Sequence, residues 1–357
     1  MLALGRCRRA AALAAPGFRG LVAGAGAPAS GVACLDELRS VIKLEGTQLV
    51  PYLQKIIASD ASALTPGGKP IYSCVLSPQG RYLHDMFLHR VADAPVPTVL
   101  VDCDTTQRRA LMDLLQRYSL HHQIDVTNAA KTFSVWAAFG GGSIAGTAAA
   151  PERGWPADPR LPSLGRRTVL PRGAAPAASA TWRDHERWRI EQGVAEGDVE
   201  ISSGEVNPLE FNLDHLGGIS FTKGCYVGQE FVQRVHARGV VRKRVIPFRL
   251  GAARGAGCLA SVPLEAGRSV VFEAWEADES LHSIGKVIAL QGDMGLARLR
   301  LKEALGAIAE QRPLLVGDQE SGTGYAEVWP YRPSWWPDEW GPEEGGFGEE
   351  DEQRRVA

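Results

Sequence analysis

The sequence ISFTKGCYVGQE, residues 219–230, is the most unusual stretch of this chain. Gly224 and Gly228 bracket Cys225, and a helical pattern follows directly. Glycines let backbone N–H groups approach a ligand or a thiolate, and a helix N-terminus favours negative charge. With Lys223 two residues away, these features favour the thiolate form of Cys225. This residue is therefore a candidate nucleophile, redox thiol or metal ligand, with a small buried thiol in a tight turn as the structural alternative.

The segments on either side of this stretch predict two regions. Downstream, VVRKRVIPFRL and several short β segments separated by Gly-rich turns predict a small β-barrel domain over residues 246–330. Upstream, residues 34–245 alternate helical and strand patterns, which predicts an α+β region with a largely antiparallel sheet. Helices are predicted over 47–58, 105–118 and 184–192, and strands over 71–77, 81–90, 98–103, 122–126 and 132–139.

A resemblance to a known family rests on the same stretch. KGCYVGQE, followed by RVHARGVVRKR, closely resembles the signature of the aminomethyltransferase-like iron–sulfur cluster assembly factors, which include bacterial YgfZ and its mitochondrial relatives. Residues 80–88, 189–197 and 208–213 look like further family segments in the right order. The resemblance covers roughly residues 35–330.

The resemblance implies a fold and a role. The fold would be a ring-like arrangement of three subdomains of the GcvT/YgfZ type, shared with the glycine-cleavage T protein and carrying a tetrahydrofolate site. The role would be late maturation of 4Fe–4S client enzymes together with A-type scaffold proteins. Cys225 would be the cluster-bridging or redox-sensitive thiol. The family signature maps onto Lys223, Gly224, Cys225, Tyr226, Gly228, Gln229 and Glu230, so the resemblance also extends folate-site candidacy to Lys223, Tyr226, Gln229 and Glu230.

Asp85 is the second candidate for chemistry. It interrupts the apolar strand pattern of residues 82–88, where an unpaired buried carboxylate would be costly, so it should meet solvent, a basic residue or a ligand. In the similar T protein, this position holds an acid that contacts the folate. The T protein has two adjacent acids there, whereas this chain has His84 before Asp85, which weighs against transferase chemistry.

Two further residues are folate candidates by resemblance. Glu210 resembles the glutamate that holds the pterin ring, a task that suits a carboxylate able to accept two parallel N–H bonds. Glu191 could equally be that acid or belong to a solvated helix face. Tyr226 could stack on the pterin or pack inside the protein.

Three functions remain open from these residues. A single thiolate cannot hold an iron–sulfur cluster, which needs about four ligands, so an assembly factor would share its cluster with a partner protein or glutathione. The alternative is a tetrahydrofolate-dependent one-carbon transferase in which Asp85 positions or deprotonates an amine. The third is a thiol-based redox sensor without folate.

The ends of the chain predict its destination. Residues 1–33 contain four arginines and no acid, as is typical of an organellar transit peptide. We expect the mitochondrial matrix, with the chloroplast stroma as the alternative. The scattered cysteines suit a reducing compartment. Residues 331–357 form a tail with three tryptophans followed by an acidic run, whereas the low-complexity stretches at 140–150 and 171–180 are expected to be flexible insertions.

Charge and hydropathy exclude two classes of partner. The formal net charge of the chain is -2, which gives no general reason to expect nucleic-acid binding. No apolar run reaches the roughly 18 residues that a membrane-spanning helix needs, so we expect no membrane insertion.

Overall fold

The computed structural model describes residues 30–92, 94–119, 122–140, 154–237, 241–251, 271–275, 281–317, 325–338 and 340. Most of the predicted transit peptide, the stretch 141–150 and the acidic run from residue 341 onward lie outside this part of the chain. The described strands form two open sheets and one closed barrel, and every strand pair in them is antiparallel. The predicted α+β class is therefore confirmed.

The first sheet has five strands in the order β3-β4-β5-β2-β6 and carries two helices. The first helix begins after Gln48, and its residues Leu49, Tyr52, Leu53 and Ile56 are buried, because this spacing places them on one face. The elements are β2 (Arg39–Glu45), α1 (Leu49–Ile56), β3 (Ile71–Leu76), β4 (Tyr82–Arg90), β5 (Thr98–Asp104), α2 (Arg108–Ser119) and β6 (Asp125–Asn128).

The second sheet has three strands in the order β1-β7-β8, and α3 packs against it. Thr181 and Asp184 form a capping box that starts the helix. The elements are β1 (Gly31–Cys34), β7 (Phe133–Phe139), β8 (Arg166–Pro171) and α3 (Trp182–Glu191). Because β1 pairs with β7 from Gly31 onward, the folded region begins before the boundary predicted at residue 33.

The stretch 171–180 corrects a prediction. It was expected to be a flexible insertion because it lacks large apolar residues. Instead it contains a short 3-10 turn at Arg172–Ala174, and its end pairs with β1. The backbone N–H groups of Ser179 and Ala180 donate to the Val32 carbonyl, and the Ser179 hydroxyl accepts from the Val32 N–H. Backbone hydrogen bonds, which need no apolar side chain, hold this stretch at the sheet edge.

The third unit is a closed six-stranded barrel in the order β10-β11-β12-β9-β14-β13. Its first strand begins at Lys243, three residues before the predicted domain boundary. The elements are β9 (Lys243–Leu250), β10 (Val271–Trp275), β11 (Leu281–Gln291), β12 (Met294–Arg300), α5 (Leu301–Ala309), β13 (Leu314–Gly317) and β14 (Tyr325–Pro330).

The first part of the predicted tail is packed onto this barrel and onto the end of α3. Trp336 and Trp340 are buried in the barrel core, and the guanidinium carbon of Arg244 lies 3.4 Å from the Trp340 ring centre. Trp335 donates its indole N–H to the Gln192 carbonyl, and Tyr331 donates its hydroxyl to the Glu191 carbonyl. Within the described residues, no helix is long and apolar enough to cross a membrane.

Candidate functional site

The Cys225 loop, residues 219–228, comes after the 3-10 turn Pro208–Phe211 and leads into α4 (Gln229–Ala237). Two backbone hydrogen bonds attach it to α1 and the residues that follow this helix. The Ser220 N–H donates to the Ala58 carbonyl at 2.9 Å, and the Val227 N–H donates to the Lys55 carbonyl at 3.1 Å. The loop is thus held on both sides of Cys225.

One glycine of the loop is required by its surroundings. Gly228 has a φ of +81° and faces the β3–β4 turn, where Gly80 has a φ of +77°. A Cβ at Gly228 would collide with the Ser77 carbonyl oxygen, and a Cβ at Gly80 would lie 2.8 Å from the Gly228 carbonyl oxygen. Gly224, by contrast, has open space where its Cβ would be. The two backbones therefore approach one another at Gly80 and Gly228 as only glycines allow.

Lys223 attaches the loop a third time. Its Nζ donates to the Ile57 carbonyl at 2.8 Å and to the Ser59 carbonyl at 2.9 Å, and it lies 4.9 Å from the Tyr226 ring centre. Burial lowers the pKa of Lys223 to about 8, with the nearby Asp60 carboxylate acting in the opposite direction. Two backbone carbonyls therefore engage the Lys223 ammonium.

Cys225 is exposed, unlike the other cysteines in the part of the chain that the structure describes. Cys74 and Cys103 are buried, and burial raises the pKa of both thiols. Cys34 is half-buried, and its thiol pKa is also raised, mainly by burial. Among the described residues, no group of three or more His, Cys, Asp or Glu side chains could hold a metal ion. Cys225 therefore stands in the described structure as a single accessible thiol.

Three further signature residues, Tyr226, Gln229 and Glu230, have different surroundings. Tyr226 is buried, and its hydroxyl donates to no described group, so its ring packs inside the core. The Gln229 side chain accepts a hydrogen bond from the Tyr226 N–H at 3.2 Å and so closes the turn into α4. Glu230 is exposed in the first turn of α4. In this structure Tyr226 packs and Gln229 supports the loop.

Asp85 is fully buried and meets a basic residue, one of the three surroundings that the sequence predicted. Its carboxylate accepts from Arg39 Nη1 at 2.9 Å, from the Gly197 N–H at 3.2 Å and from the Tyr72 hydroxyl at 3.4 Å. The side chain of Asp85 is 0% exposed. Both of its oxygens are thus occupied by groups of the protein itself.

Arg39 connects Asp85 to a larger buried ionic network. Arg39 and Arg167 each donate an Nε–H to Asp102 at 2.7 Å. Glu196 accepts from Arg160 at 2.6 Å and from Arg167 at 3.1 Å. The guanidinium groups of Arg39, Arg160 and Arg167 lie 3.9–5.5 Å from aromatic ring centres, chiefly that of Phe87. We call Arg39, Asp85, Asp102, Asp158, Arg160, Arg167 and Glu196 the ionic network.

The ionic network joins the first and second sheets. Arg39 and Asp102 belong to strands of the first sheet, Arg167 belongs to β8 of the second, and Glu196 lies in the loop after α3. The arginines hold the pKa of Glu196 well below its usual value, against the effect of burial. Sequence reasoning identified only Asp85 of this set. Arg39 and Asp102 carry the same sequence signal as Asp85, because each is a charged residue that interrupts an apolar strand pattern.

A cleft of about 270 Å³ lies between residues 199–211 and the barrel strands β11 and β12. Glu210 lies beside it and pairs with Arg298 at 3.1 Å, whereas Glu191 pairs with Arg249 outside it at 3.4 Å. Glu205 and Lys286 are exposed in the cleft, and no salt bridge joins either to a described residue. The lining is Val199, Glu200, Ser202, Glu205, Val206, Phe211, Lys286, Val287, Ile288 and Arg298. No residue of the Cys225 loop contributes to it, so the structure separates the predicted folate residues into distinct places.

Known proteins resemble this chain in sequence and in fold. Residues 242–338 match the family model described as CAF17, C-terminal beta-barrel domain. The solved structure of the glycine cleavage system aminomethyltransferase T from Bartonella henselae matches with a TM-score of 0.61 at 14% identity, covering 86% of this chain and 87% of that one. The predicted GcvT-type fold with a small C-terminal β-barrel is thereby confirmed.

Curated relatives extend over most of the chain. The human protein named iron-sulfur cluster assembly factor IBA57, mitochondrial, is 30% identical over 93% of this chain and 91% of its own length. The mouse protein of that name is 30% identical over 87% of each chain. A homolog from Mycosarcoma maydis is 35% identical over 59% of this chain and 55% of its own length. Because the human and mouse relatives are 30% identical and are matched over 91% and 87% of their own lengths, the chain belongs to the IBA57 family of iron–sulfur cluster assembly factors.

Proposed function

We propose that this protein takes part in the maturation of 4Fe–4S proteins in the mitochondrial matrix, where Cys225 supplies one thiolate to a cluster shared with an A-type scaffold protein. The names of the relatives support iron–sulfur cluster assembly and the mitochondrion. The observation that carries the thiol role is the exposure of Cys225 on a loop attached to the protein by Ser220, Lys223 and Val227. A fixed, accessible thiol loses little conformational freedom on binding, which favours formation of a complex.

The number of cluster ligands makes a partner necessary. Iron–sulfur clusters are held by about four thiolates or imidazoles. Among the described residues, Cys225 belongs to no group of three or more side chains that could hold a metal ion. The remaining ligands would therefore come from the scaffold protein, and transfer to a client enzyme would exchange them for the thiolates of the client.

Anaerobic reconstitution tests this proposal. Residues 30–357 would be mixed with a mitochondrial A-type scaffold, ferrous iron and sulfide, and the visible absorption and native mass of the product would be recorded. We expect a coloured heteromer with the wild-type chain and with Cys34→Ser, the matched control at a half-buried cysteine, but not with Cys225→Ser. A coloured heteromer that forms equally well with Cys225→Ser would overturn the proposed role of this thiol.

We also propose that the cleft binds tetrahydrofolate, with Glu210 at its edge. Glu205 has no salt-bridge partner among the described residues, and its carboxylate suits the N–H groups of a pterin. Lys286 offers a cation that suits the carboxylates of a glutamyl tail. When bound, the group would carry a one-carbon unit. Titration of tetrahydrofolate, followed by the quenching of tryptophan fluorescence, should give weaker binding for Glu205→Gln and for Lys286→Gln. Affinity that is unchanged in both variants would contradict this placement.

The contacts of Asp85 weigh against one-carbon transfer, the alternative function. A carboxylate that positions or deprotonates an amine must reach it, within about 3.2 Å. Asp85 is instead bonded to Arg39, Tyr72 and Gly197 and is buried. A turnover assay with formaldehyde-loaded tetrahydrofolate distinguishes the two functions, because only a transferase would show turnover that is lost in Asp85→Asn.

A further inference from the structure

We propose that the surface around Cys225 is a basic docking face for an acidic protein that carries an iron–sulfur cluster, an inference that rests on the function proposed above. Three cations border the Cys225 loop, and we call them the basic rim: Lys55, Arg81 and Arg234. They come from three elements that are far apart in sequence and that the fold brings to one loop.

Two of these cations are placed by contacts of the loop itself. Lys55 lies in the last turn of α1 and is exposed, and its carbonyl accepts the hydrogen bond from Val227. Arg81 follows Gly80, whose Cα would lie 3.2 Å from a Cβ at Gly228. Consecutive Cα atoms are about 3.8 Å apart, so both cations belong to residues next to the loop.

The third cation lies on the helix that the loop enters. Arg234 is exposed on α4, four residues after Glu230, and residues at this spacing share a helix face. Two carboxylates, Glu230 and Asp60, also lie near this loop, and the four cations Lys55, Arg81, Lys223 and Arg234 outnumber them. The surface therefore carries an excess of positive charge.

The basic rim is available to a partner because none of its members forms a salt bridge with a described residue. Lys55, Arg81 and Arg234 have no carboxylate within salt-bridge distance among the described residues, and Arg81 lies over the Phe231 ring at 5.1 Å. The buried arginines differ, since Arg39 contacts three carboxylates and Arg167 contacts two.

The charge of the rim matches the chemistry of its expected partner. A cluster held by four thiolates is anionic, and a protein that carries one near an acidic surface would be drawn to a cationic face. Complementary charge speeds encounter and fixes orientation more than it adds affinity. The basic rim would thus bring the cluster of the partner to Cys225 in one orientation.

A thiol-reagent experiment tests the field at Cys225 without any partner. The Cys225 thiolate attacks the disulfide of dithiobis(nitrobenzoate), a dianion, to form a mixed disulfide, and thionitrobenzoate leaves with the bonding electron pair. The neutral reagent dithiodipyridine reacts in the same way. Rates measured in Cys225→Ser are subtracted to remove the contribution of the other cysteines.

The test variant is Lys55→Glu with Arg234→Glu. The control is Lys302→Glu with Arg117→Glu, at two exposed cations on α5 and α2, and it changes the net charge of the protein by the same amount.

We expect the test variant to react about tenfold more slowly than wild type with the dianionic reagent, and this rate should no longer depend on salt concentration. With the neutral reagent, the test variant should react at the wild-type rate. The control should match wild type. Equal slowing of the control would overturn the proposal by making net charge the cause, and equal slowing with the neutral reagent would do so by making loop displacement the cause. An unchanged rate with the dianion would also overturn it.

Association with the A-type scaffold then connects the face to function. We expect the test variant to bind at least fivefold more weakly than wild type, chiefly through slower association, while the control binds as wild type does. Equal affinity for all three proteins would overturn the docking role. The proposed function fails separately if Cys225→Ser retains the cluster. The docking face would still stand in that case, provided that the test variant slows both the reaction with the dianionic reagent and the association with the scaffold.

Discussion

The ionic network and the Cys225 loop place the two main candidate residues, Asp85 and Cys225, in opposite surroundings. In the network, Asp85 and Asp102 are fully buried and bonded to arginines. In the loop, Cys225 is exposed while the backbone around it is attached at several points. Burial and full hydrogen bonding thus indicate a structural role for the charged residues of the network, whereas fixed exposure indicates a role in recognition for Cys225.

The network should be the more costly of the two to break. Glu196→Gln leaves the buried guanidinium groups of Arg160 and Arg167 without their shared carboxylate, and breaking a buried ion pair in this way typically costs about 3–5 kcal/mol. Urea unfolding would measure the loss. Glu45→Gln is the matched control, because its pair with Lys43 is one-third exposed and should contribute at most about 1 kcal/mol. Similar losses for both variants would show that the network is not a stabilising unit.

The free energy of unfolding should be sensitive to substitution of one glycine of the loop and not of the other. Gly228→Ala places a Cβ against the Ser77 carbonyl at a positive φ, and we expect the free energy of unfolding to fall by about 1–3 kcal/mol. Gly224→Ala enters open space and should change it by less than about 0.5 kcal/mol. Limited proteolysis should cleave the loop faster only in Gly228→Ala. If both variants behave alike, the close contact with Gly80 does not hold the loop.

Lys223 should make the free energy of unfolding depend on pH. Its pKa is about 8 in the folded protein and near 10.5 when exposed, so the unfolded chain binds more protons between these values. The contribution of Lys223 to stability therefore rises with pH through this window and falls again as the pH is lowered through 8. The difference in unfolding free energy between wild type and Lys223→Met should grow from pH 7.5 to pH 9.5, with tyrosine ionisation common to both proteins. A constant difference would mean that this lysine titrates as an exposed one.

Cys225 itself should matter least for stability. Cys225→Ser changes an exposed side chain, and we expect its unfolding free energy to remain within about 0.5 kcal/mol of wild type. Cys103→Ser places a hydroxyl in the core and should cost about 1–3 kcal/mol. Thermal unfolding of the two variants checks this contrast. A strongly destabilised Cys225→Ser would assign the thiol a structural role and weaken the comparison between loop and network.

Much of the fold and part of the site could be read from the sequence. The helical spacing of Leu49, Leu53 and Ile56 and the alternation around residues 71–90 are local patterns, so they predicted α1 and the β3–β4 hairpin. Strand β2, RSVIKLE, was not predicted, because the charges of Arg39 and Lys43 interrupt its apolar pattern. Arg39 could be recognised as a core residue only once its partners Asp85 and Asp102 were known.

The sequence by itself determined the motif, the class of fold and the reactivity to look for at Cys225, since these depend on residue types and on short-range spacing. The tertiary structure alone decided which charged residues are buried against one another and which remain free. Asp85 meets Arg39 across 46 positions of sequence, and Lys223 meets Ile57 across 166. Such partners belong to different elements, and the strength of a charge depends on the solvent that its partners exclude. No local pattern contains that information.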